Sequence, residues 1–250
     1  VHVYDKEGKL QNSFGIPGTG DGQMKAPRNI CHDNAGNIVV ADWGNRRVEM
    51  FTSKGEHMRH VGIRDGMGQV HGVAIAPDGK VVVTDWVNHE VTILPNDEDV
   101  SYPIREKTST GTSLIKFGGR GSGPGKFITP RGVLVSYDNE IFVTDMGNKR
   151  VQVFDMEGVF RRDFGSPGTG DGQMKHPRNI CHDNTGNIVV ADWGNRRIEM
   201  FNPEGKHMHH VGIKDGMGEV HGIAVAPDGK VVLSDWVNDT VTILQNSEAV

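Results

Sequence analysis

The chain repeats itself twice over. Residues 151–250 are a near-copy of residues 1–100, displaced by 150 positions. Inside that long period runs a shorter one. An apolar strand, an Asp/Asn-Gly turn, a second apolar strand and Asp-x-x-Asn follow one another from near Arg28, His71, Arg131, Arg178 and His221. Self-similarity at about 40–50 residues with four short strands per unit predicts a β-propeller, a ring of small sheets. One such sheet cannot bury its own faces, so the units must pack into a single array. Function in such a ring concentrates in the loops of one face.

Composition agrees with an all-β reading. Apolar residues make up 36% of the chain and glycine supplies 34 residues, which suits half-exposed strands joined by tight turns. The formal charge of −5 excludes a polycation, though not one basic face. No apolar run reaches the ~18 residues that span a bilayer, so no membrane association is expected. Cys31 and Cys181 occupy equivalent places three units apart, too far for a disulfide, which needs Cα atoms within about 7 Å. Two free thiols point to a reducing, cytoplasmic setting.

The strands can be read unit by unit. In the first complete one, Arg28–His32 is the inner strand and Asp33–Asn37 a turn. Ile38–Asp42, Arg47–Phe51 and His57–Val61 are the second to fourth strands. Val1–Asp5 and Lys9–Phe14 match the third and fourth strands of a later unit, Val151–Asp155 and Val159–Phe164. The chain is therefore expected to form one six-bladed propeller domain with one blade incomplete. The expected blades span 1–27 (partial), 28–70, 71–130, 131–177, 178–220 and 221–250 (partial). A five-bladed closure is the alternative. A polar insertion, Pro95–Thr112, interrupts the second blade and reads as a surface loop or a docking arm.

Three segments then become familiar: Ala41–Phe51 (ADWGNRRVEMF), Thr144–Phe154 (TDMGNKRVQVF) and Ala191–Phe201 (ADWGNRRIEMF). Each follows a Gly-rich linker, such as Gly18–Ile30 or Gly121–Val133. Together they resemble NHL repeats, found C-terminally in tripartite-motif ubiquitin ligases and related translational regulators. The resemblance implies a non-catalytic module that recruits RNA or protein, with any ligase activity in RING, B-box and coiled-coil parts. Val83–Leu94 and Leu233–Leu244 depart from the pattern, with Glu90 or Thr240 in place of the arginine. The near-identity of the two long copies suggests recent duplication or an engineered repeat.

In a four-stranded blade the turn after strand two and the linker between blades share a face. That face collects Lys25, Arg28, Arg46, Arg47, Lys126, Arg131, Lys149, Arg150, Lys175, Arg178, Arg196 and Arg197. The opposite face collects acids such as Asp33, Glu56, Asp78, Asp183 and Asp228. A basic top attracts phosphate-bearing ligands. Within it, Asp42 with Arg47, Asp145 with Arg150 and Asp192 with Arg197 recur as structural pairs. Arg46, Lys149 and Arg196 show no recurrent partner and are candidate contacts. Arg28, His71, Arg131, Arg178 and His221 each begin an inner strand and should ring the channel mouth. Trp43, Trp86, Trp193 and Trp236 all follow the strand-two Asp. They read either as packing between blades or as platforms for bases or protein.

The expected partner is single-stranded or stem-loop RNA, or a protein, on the basic face, with self-association through the incomplete blade a further option. No cofactor and no metal are expected. His207, His209 and His210 are close in sequence, but strand alternation places His207 beside His209 with no third ligand evident. The alternative to a recognition module is a propeller hydrolase or lyase with a metal in the channel. Such a site needs carboxylates or histidines converging from several blades, whereas the inner strands carry Asn29, Gly72 and Asn179. A duplicated structural scaffold is the third option.

Overall fold

The computed structural model describes residues 1–62, 68–95, 114–212 and 218–244. Beyond Pro95, the expected insertion lies outside the described residues. Strands β1 (His2–Tyr4) and β2 (Leu10–Ser13) come first. The first blade holds β3 (Pro27–His32), β4 (Ile38–Asp42), β5 (Arg47–Phe51) and β6 (His57–Gly62). The second holds β7 (Val70–Ile75), β8 (Val81–Asp85), β9 (Glu90–Leu94) and β10 (Ile115–Gly118). The third holds β11 (Pro130–Val135), β12 (Ile141–Asp145), β13 (Arg150–Phe154) and β14 (Phe160–Phe164). A short parallel pair, β15 (Ser166–Pro167) and β16 (Gln173–Met174), lies in the next linker. The fourth blade holds β17 (Pro177–His182), β18 (Ile188–Asp192), β19 (Arg197–Phe201) and β20 (His207–Gly212). The fifth holds β21 (Val220–Val225), β22 (Val231–Asp235) and β23 (Thr240–Leu244). Within every blade, strands adjacent in sequence pair antiparallel. No helix among the described residues is long and apolar enough to cross a membrane.

The architecture is a five-bladed β-propeller, which corrects the six-bladed expectation. Five sheets of three or four strands follow one another around the channel. The two strands counted toward a sixth blade pair only with each other, as the sheet β1-β2. Val1 and Phe14 pack instead against Met24, Val40 and Phe51 of the first blade and its linker. The miscount has a simple cause: these strands copy the outer strands of a real blade in sequence but have no inner strands of their own.

Each blade buries its flat faces against its neighbours. Val39, Val48 and Met50 of the first meet Val70, Val73 and Val83 of the second. Equivalent apolar layers join the second to the third, the third to the fourth and the fourth to the fifth. This is why the second strand of each unit reads as a continuous apolar run. The layers do not serve identical sequences identically. Both β3 and β17 read PRNICH, yet Ile30 is 51% exposed and Ile180 only 4%. β17 packs between β11 and β21, whereas β3 packs on β7. Val241 of β23, at the far end of the array, is likewise exposed, unlike its counterpart Val91.

Inner strands approach closely enough to fix the channel mouth. A Cβ on Gly72 would stand 2.4 Å from the carbonyl oxygen of Arg131, so glycine is required there. Thr84 Oγ1 accepts from Gly72 N at 2.8 Å and donates to Arg131 O at 2.6 Å. Thr144 repeats the arrangement with Gly132 N and Arg178 O. Across the channel Asn29 Nδ2 donates to Asn179 Oδ1 at 3.1 Å. The mouth residues next to these contacts are thereby set on a rigid frame.

Candidate functional site at the channel mouth

The turn after each second strand is organised by its buried Asp. Asp42 accepts from Lys25 N at 2.7 Å and Asn45 Nδ2 at 2.6 Å, and Arg47 Nε lies 3.3 Å away. Arg47 also donates to the carbonyls of Thr19, Gly20 and Gln23 in the preceding linker. Arg197 binds the carbonyls of Thr169, Gly170 and Gln173 in the same way. Arg150 reaches Asp145, Asp163 and the carbonyls of Gly123 and Lys126. Asp192 receives Lys175 N and Asn195 Nδ2. These contacts hold the linker and the turn together on one face. They also set the next residue in a left-handed conformation in all five blades, at Arg46, His89, Lys149, Arg196 and Asp239.

On that face a cavity of about 210 Å³ opens over the channel, lined by Arg28, Trp43, His71, Trp86, Arg131, Arg178, His221 and Trp236. Every inner-strand residue singled out for the mouth is in it. Arg28 stacks over Trp43 at 5.0 Å, Arg131 over Trp86 at 4.6 Å and Arg178 over Trp193 at 5.0 Å. The rings of His221 and Trp236 lie 5.3 Å apart. The tryptophans thus carry the mouth arginines on their faces as cation–π contacts.

Two imidazoles sit among these cations. Arg131 Nη1 lies 2.6 Å from His71 Nε2. Arg178 Nη1 lies against His221, 3.2 Å from Nδ1 and closer to Nε2. Burial first, then Arg131 and Arg28, hold the His71 pKa well below the usual histidine value. Burial and Arg178 lower that of His221, with Glu219 opposing. Both rings are therefore neutral at neutral pH. Burial and the neighbouring Arg178 and Arg28 bring Arg131 down to about 10. Glu219 Oε2 stands 3.3 Å from both His221 Nε2 and Arg178 Nη2. The sequence reading missed Glu219. Its signal was position, two residues before His221, where the second blade has Gln69, which accepts from Trp86 Nε1 at 3.1 Å.

Other singled-out cations lie apart from this cluster and are engaged elsewhere. Arg46 Nε donates to Gly68 O at 3.0 Å and Lys149 Nζ to Met146 O at 2.9 Å. Arg196 is bonded as well. Their expected lack of partners is corrected: for Arg46 and Lys149 backbone carbonyls, which no side-chain pattern reveals, supply them. Lys25 and Lys175 contribute backbone N–H groups to Asp42 and Asp192 while their side chains face solvent. A larger recess of about 590 Å³ on the opposite face is lined by Asp33, Asn34, Asn37, Met58, Arg59 and Asp78 among others. Asp33 is spent on its own turn, accepting from Ala35 N and Asn37 N, and no histidine, cysteine or serine lines that recess.

Away from the mouth, two clusters have the chemistry of metal ligands: Glu49, His57, His60 and Glu199, His207, His210, each with ligand atoms within 4.8 Å of one another. The pairing of His207 with His209 is thereby corrected. A bulge between Met200 and Phe201 breaks the alternation of the outer strand, which brings His207 and His210 to the side of Glu199.

The NHL repeat family profile matches residues 67–94. The human NHL-repeat-containing protein 4 is 36% identical over 67 residues, 27% of this chain and 53% of that protein. The mouse E3 ubiquitin-protein ligase TRIM32 is 25% identical over 142 residues, 54% of this chain and 21% of that protein. The chain thus spans about half or less of the length of these relatives. A catalytically inactive virginiamycin B lyase from Staphylococcus aureus, solved with quinupristin, is similar in structure. Its TM-score is 0.66 at 13% identity, covering 98% of this chain and 73% of that one. Identity that low shows a shared fold alone.

These findings correct the expected role. The non-catalytic recognition module gives way, and with it the RNA-binding and ubiquitin-ligase descriptions. The fold is shared with a lyase, and two clusters among the described residues have the chemistry of metal ligands. The cavity at the channel mouth is consistent with a face that binds a ligand or partner, and no contact specific to RNA or protein is shown. In sequence and architecture, the chain is an NHL-repeat β-propeller domain related to the NHL repeats of the tripartite-motif family, at low to moderate identity.

Proposed function

We propose that the channel mouth is a lyase site that acts by proton abstraction on a substrate presenting a carbonyl or carboxylate oxygen. The observation that carries the proposal is the grouping of His221, Glu219 and Arg178 at the rim of a cationic cavity. A neutral imidazole is the form that accepts a proton, and its depressed pKa keeps it in that form. Glu219 orients the ring and stabilises the imidazolium that forms. Arg178, with Arg131 and Arg28 nearby, offers fixed positive charge to an oxygen on which charge develops.

The reaction follows from these parts. An incoming oxygen competes for Arg178 and releases the imidazole lone pair. His221 takes the proton on the carbon next to the carbonyl. The C–H electron pair becomes a carbon–carbon double bond, and the bond to the leaving oxygen breaks with its pair on that oxygen. The proton on His221 then passes to the leaving oxygen or to solvent.

Virginiamycin B, in the name of a structurally similar lyase, and quinupristin, with which that lyase was solved, are the substrates to try. Mass spectrometry after incubation reads the outcome. Products that together contain no added water support elimination, and products that gain one water mean hydrolysis instead. His221→Ala should lower turnover by roughly 10²–10⁴-fold, the usual contribution of a general base. Glu219→Gln should lower it less and shift its pH profile. If wild-type protein leaves both compounds intact, the proposal fails.

A further inference from the structure

We propose that the chain carries two sites for a divalent transition cation of the zinc class, one in each copy of the long repeat and both remote from the channel mouth. The first is Glu49, His57 and His60, with Asp21 as the fourth ligand. The second is Glu199, His207 and His210, with Asp171. Each joins a third strand, an outer strand and the linker that precedes the blade.

The strand geometry assembles the donors. Glu49 pairs with His60 across β5 and β6, and Phe51 pairs with His57. Glu49 and Phe51 are two apart on one strand and share a face. A bulge between Met50 and Phe51 makes His57 and His60, three apart, share that face too. His57 Nε2 lies 2.9 Å from Glu49 Oε2, and His60 Nδ1 lies 3.3 Å from Asp21 Oδ1. In the second copy the matching distances are 3.0 Å and 3.5 Å. Ligands about 2.1 Å from a tetrahedral ion stand roughly 3.4 Å apart. Both clusters are within a small adjustment of that spacing.

The buried carboxylates supply an independent observation. Glu49 and Glu199 are fully buried. Neither oxygen of either one, nor Nε2 of His57 or His207, has a hydrogen-bond partner of good geometry. Arg47 Nε lies 2.6 Å from Glu49 Oε1 as an ion pair, which leaves Oε2 facing His57. Buried polar atoms without well-formed bonds are costly, and an ion between Glu49 Oε2 and His57 Nε2, or between Glu199 Oε2 and His207 Nε2, would engage both while the arginine keeps the other carboxylate oxygen.

The third blade shows what the same position does without metal chemistry. There Gln152 replaces the glutamate, and Phe160 and Asp163 replace the histidines. Gln152 is fully satisfied by protein: it accepts from Gly125 N at 2.9 Å and donates to Lys126 O at 2.7 Å and Asp145 at 3.1 Å. The acid and the two histidines thus occur together, in the two blades 150 residues apart.

Charge and access fit as well. Asp42 and Arg47 cancel, so Glu49 and Asp21 leave two negative charges for a divalent ion. Arg47 holds Glu49 in place from behind, the role of an outer-shell partner that orients a ligand. Asp21 is exposed, which gives the ion a way in from solvent. Two imidazoles with carboxylates select zinc-like ions over magnesium or calcium, which prefer all-oxygen sites.

Cobalt(II) is the probe, because tetrahedral coordination gives it intense visible absorption. Chelator-stripped wild-type protein should take up two cobalt ions per chain with tetrahedral spectra, and zinc should displace both. His57→Asn with His60→Asn should bind one, and the same changes at His207 and His210 as well should bind none. His209→Gln, on the other face of β20, should still bind two. Circular dichroism of each stripped variant confirms that it is folded. Fewer than two ions on folded wild type overturns the proposal. So does unchanged uptake in the His57/His60 variant, or loss of an ion in His209→Gln.

Discussion

The guanidinium of Arg131 lies 4.6 Å over the indole of Trp86, although the two belong to neighbouring blades. In the first and fourth blades the arginine covers the tryptophan of its own blade, Arg28 on Trp43 and Arg178 on Trp193. The third blade has Met146 where the others have tryptophan. Arg131 therefore leans back across the blade boundary, into contact with His71. Arg131 thus contacts both the tryptophan and the mouth histidine of the second blade.

Removing that indole should be felt locally. Trp86→Leu keeps apolar bulk but deletes the cation–π contact and the bond to Gln69, so denaturant titration should show a loss of about 1–2 kcal/mol. Trp236 is 63% exposed, and Trp236→Leu should change stability by less than about 0.5 kcal/mol. Equal losses in the two variants would mean that the arginine stacking contributes nothing.

The mouth histidines make stability depend on pH. Burial and the arginines Arg131, Arg28 and Arg178, together with His221, hold the His71 pKa below the unfolded value of 6.5. As the pH falls below 6.5 the unfolded chain takes up a proton that folded His71 resists, so stability is full above 6.5 and is lost as pH drops toward the folded pKa. Glutamine at position 71 cannot be protonated. His71→Gln should therefore show a flatter decline of melting temperature between pH 7 and pH 5 than wild type. A parallel decline would place the acid sensitivity elsewhere.

Much of this was legible in the sequence because repeats fix positions. The first residue of every inner strand was known to share one rim once the period was found, and all five of those residues line the cavity. Legibility failed where geometry departs from the period. Strands β1 and β2 copy an outer half-blade, so counting patterns overstated the ring. The bulges at Met50/Phe51 and Met200/Phe201 defeat simple alternation, and so hid the grouping of Glu199 with His207 and His210. Arg46 and Lys149 looked unpaired because backbone carbonyls are their partners.

The two cysteines should be chemically quiet. Burial pushes the thiols of Cys31 and Cys181 up to about 12, and the thiolate is the nucleophile. Native protein at pH 8 should react with iodoacetamide far more slowly than protein in denaturant, with both cysteines labelled only after unfolding. Fast labelling of either one in the native state would show that its burial is not maintained in solution.

The sharpest test of the packing uses one hexapeptide in two places. Ile30 and Ile180 occupy the same position of PRNICH, in β3 and β17. Their local propensity, strand partners and turn are equivalent, so any difference in their contribution comes from the neighbouring blade. Ile180 is buried against the third blade with Leu134 and Phe142, whereas Ile30 is 51% exposed. Ile180→Ala should cost about 2–5 kcal/mol, the usual range for a buried aliphatic truncation. Ile30→Ala should cost less than about 1 kcal/mol, since roughly half of its surface is already in water. Chemical denaturation of the two variants side by side reads the difference. A large loss at Ile30 would mean that the exposed face of β3 is covered in solution, by a second copy of the chain or a rearranged neighbour, and a dependence of that loss on protein concentration would identify the former.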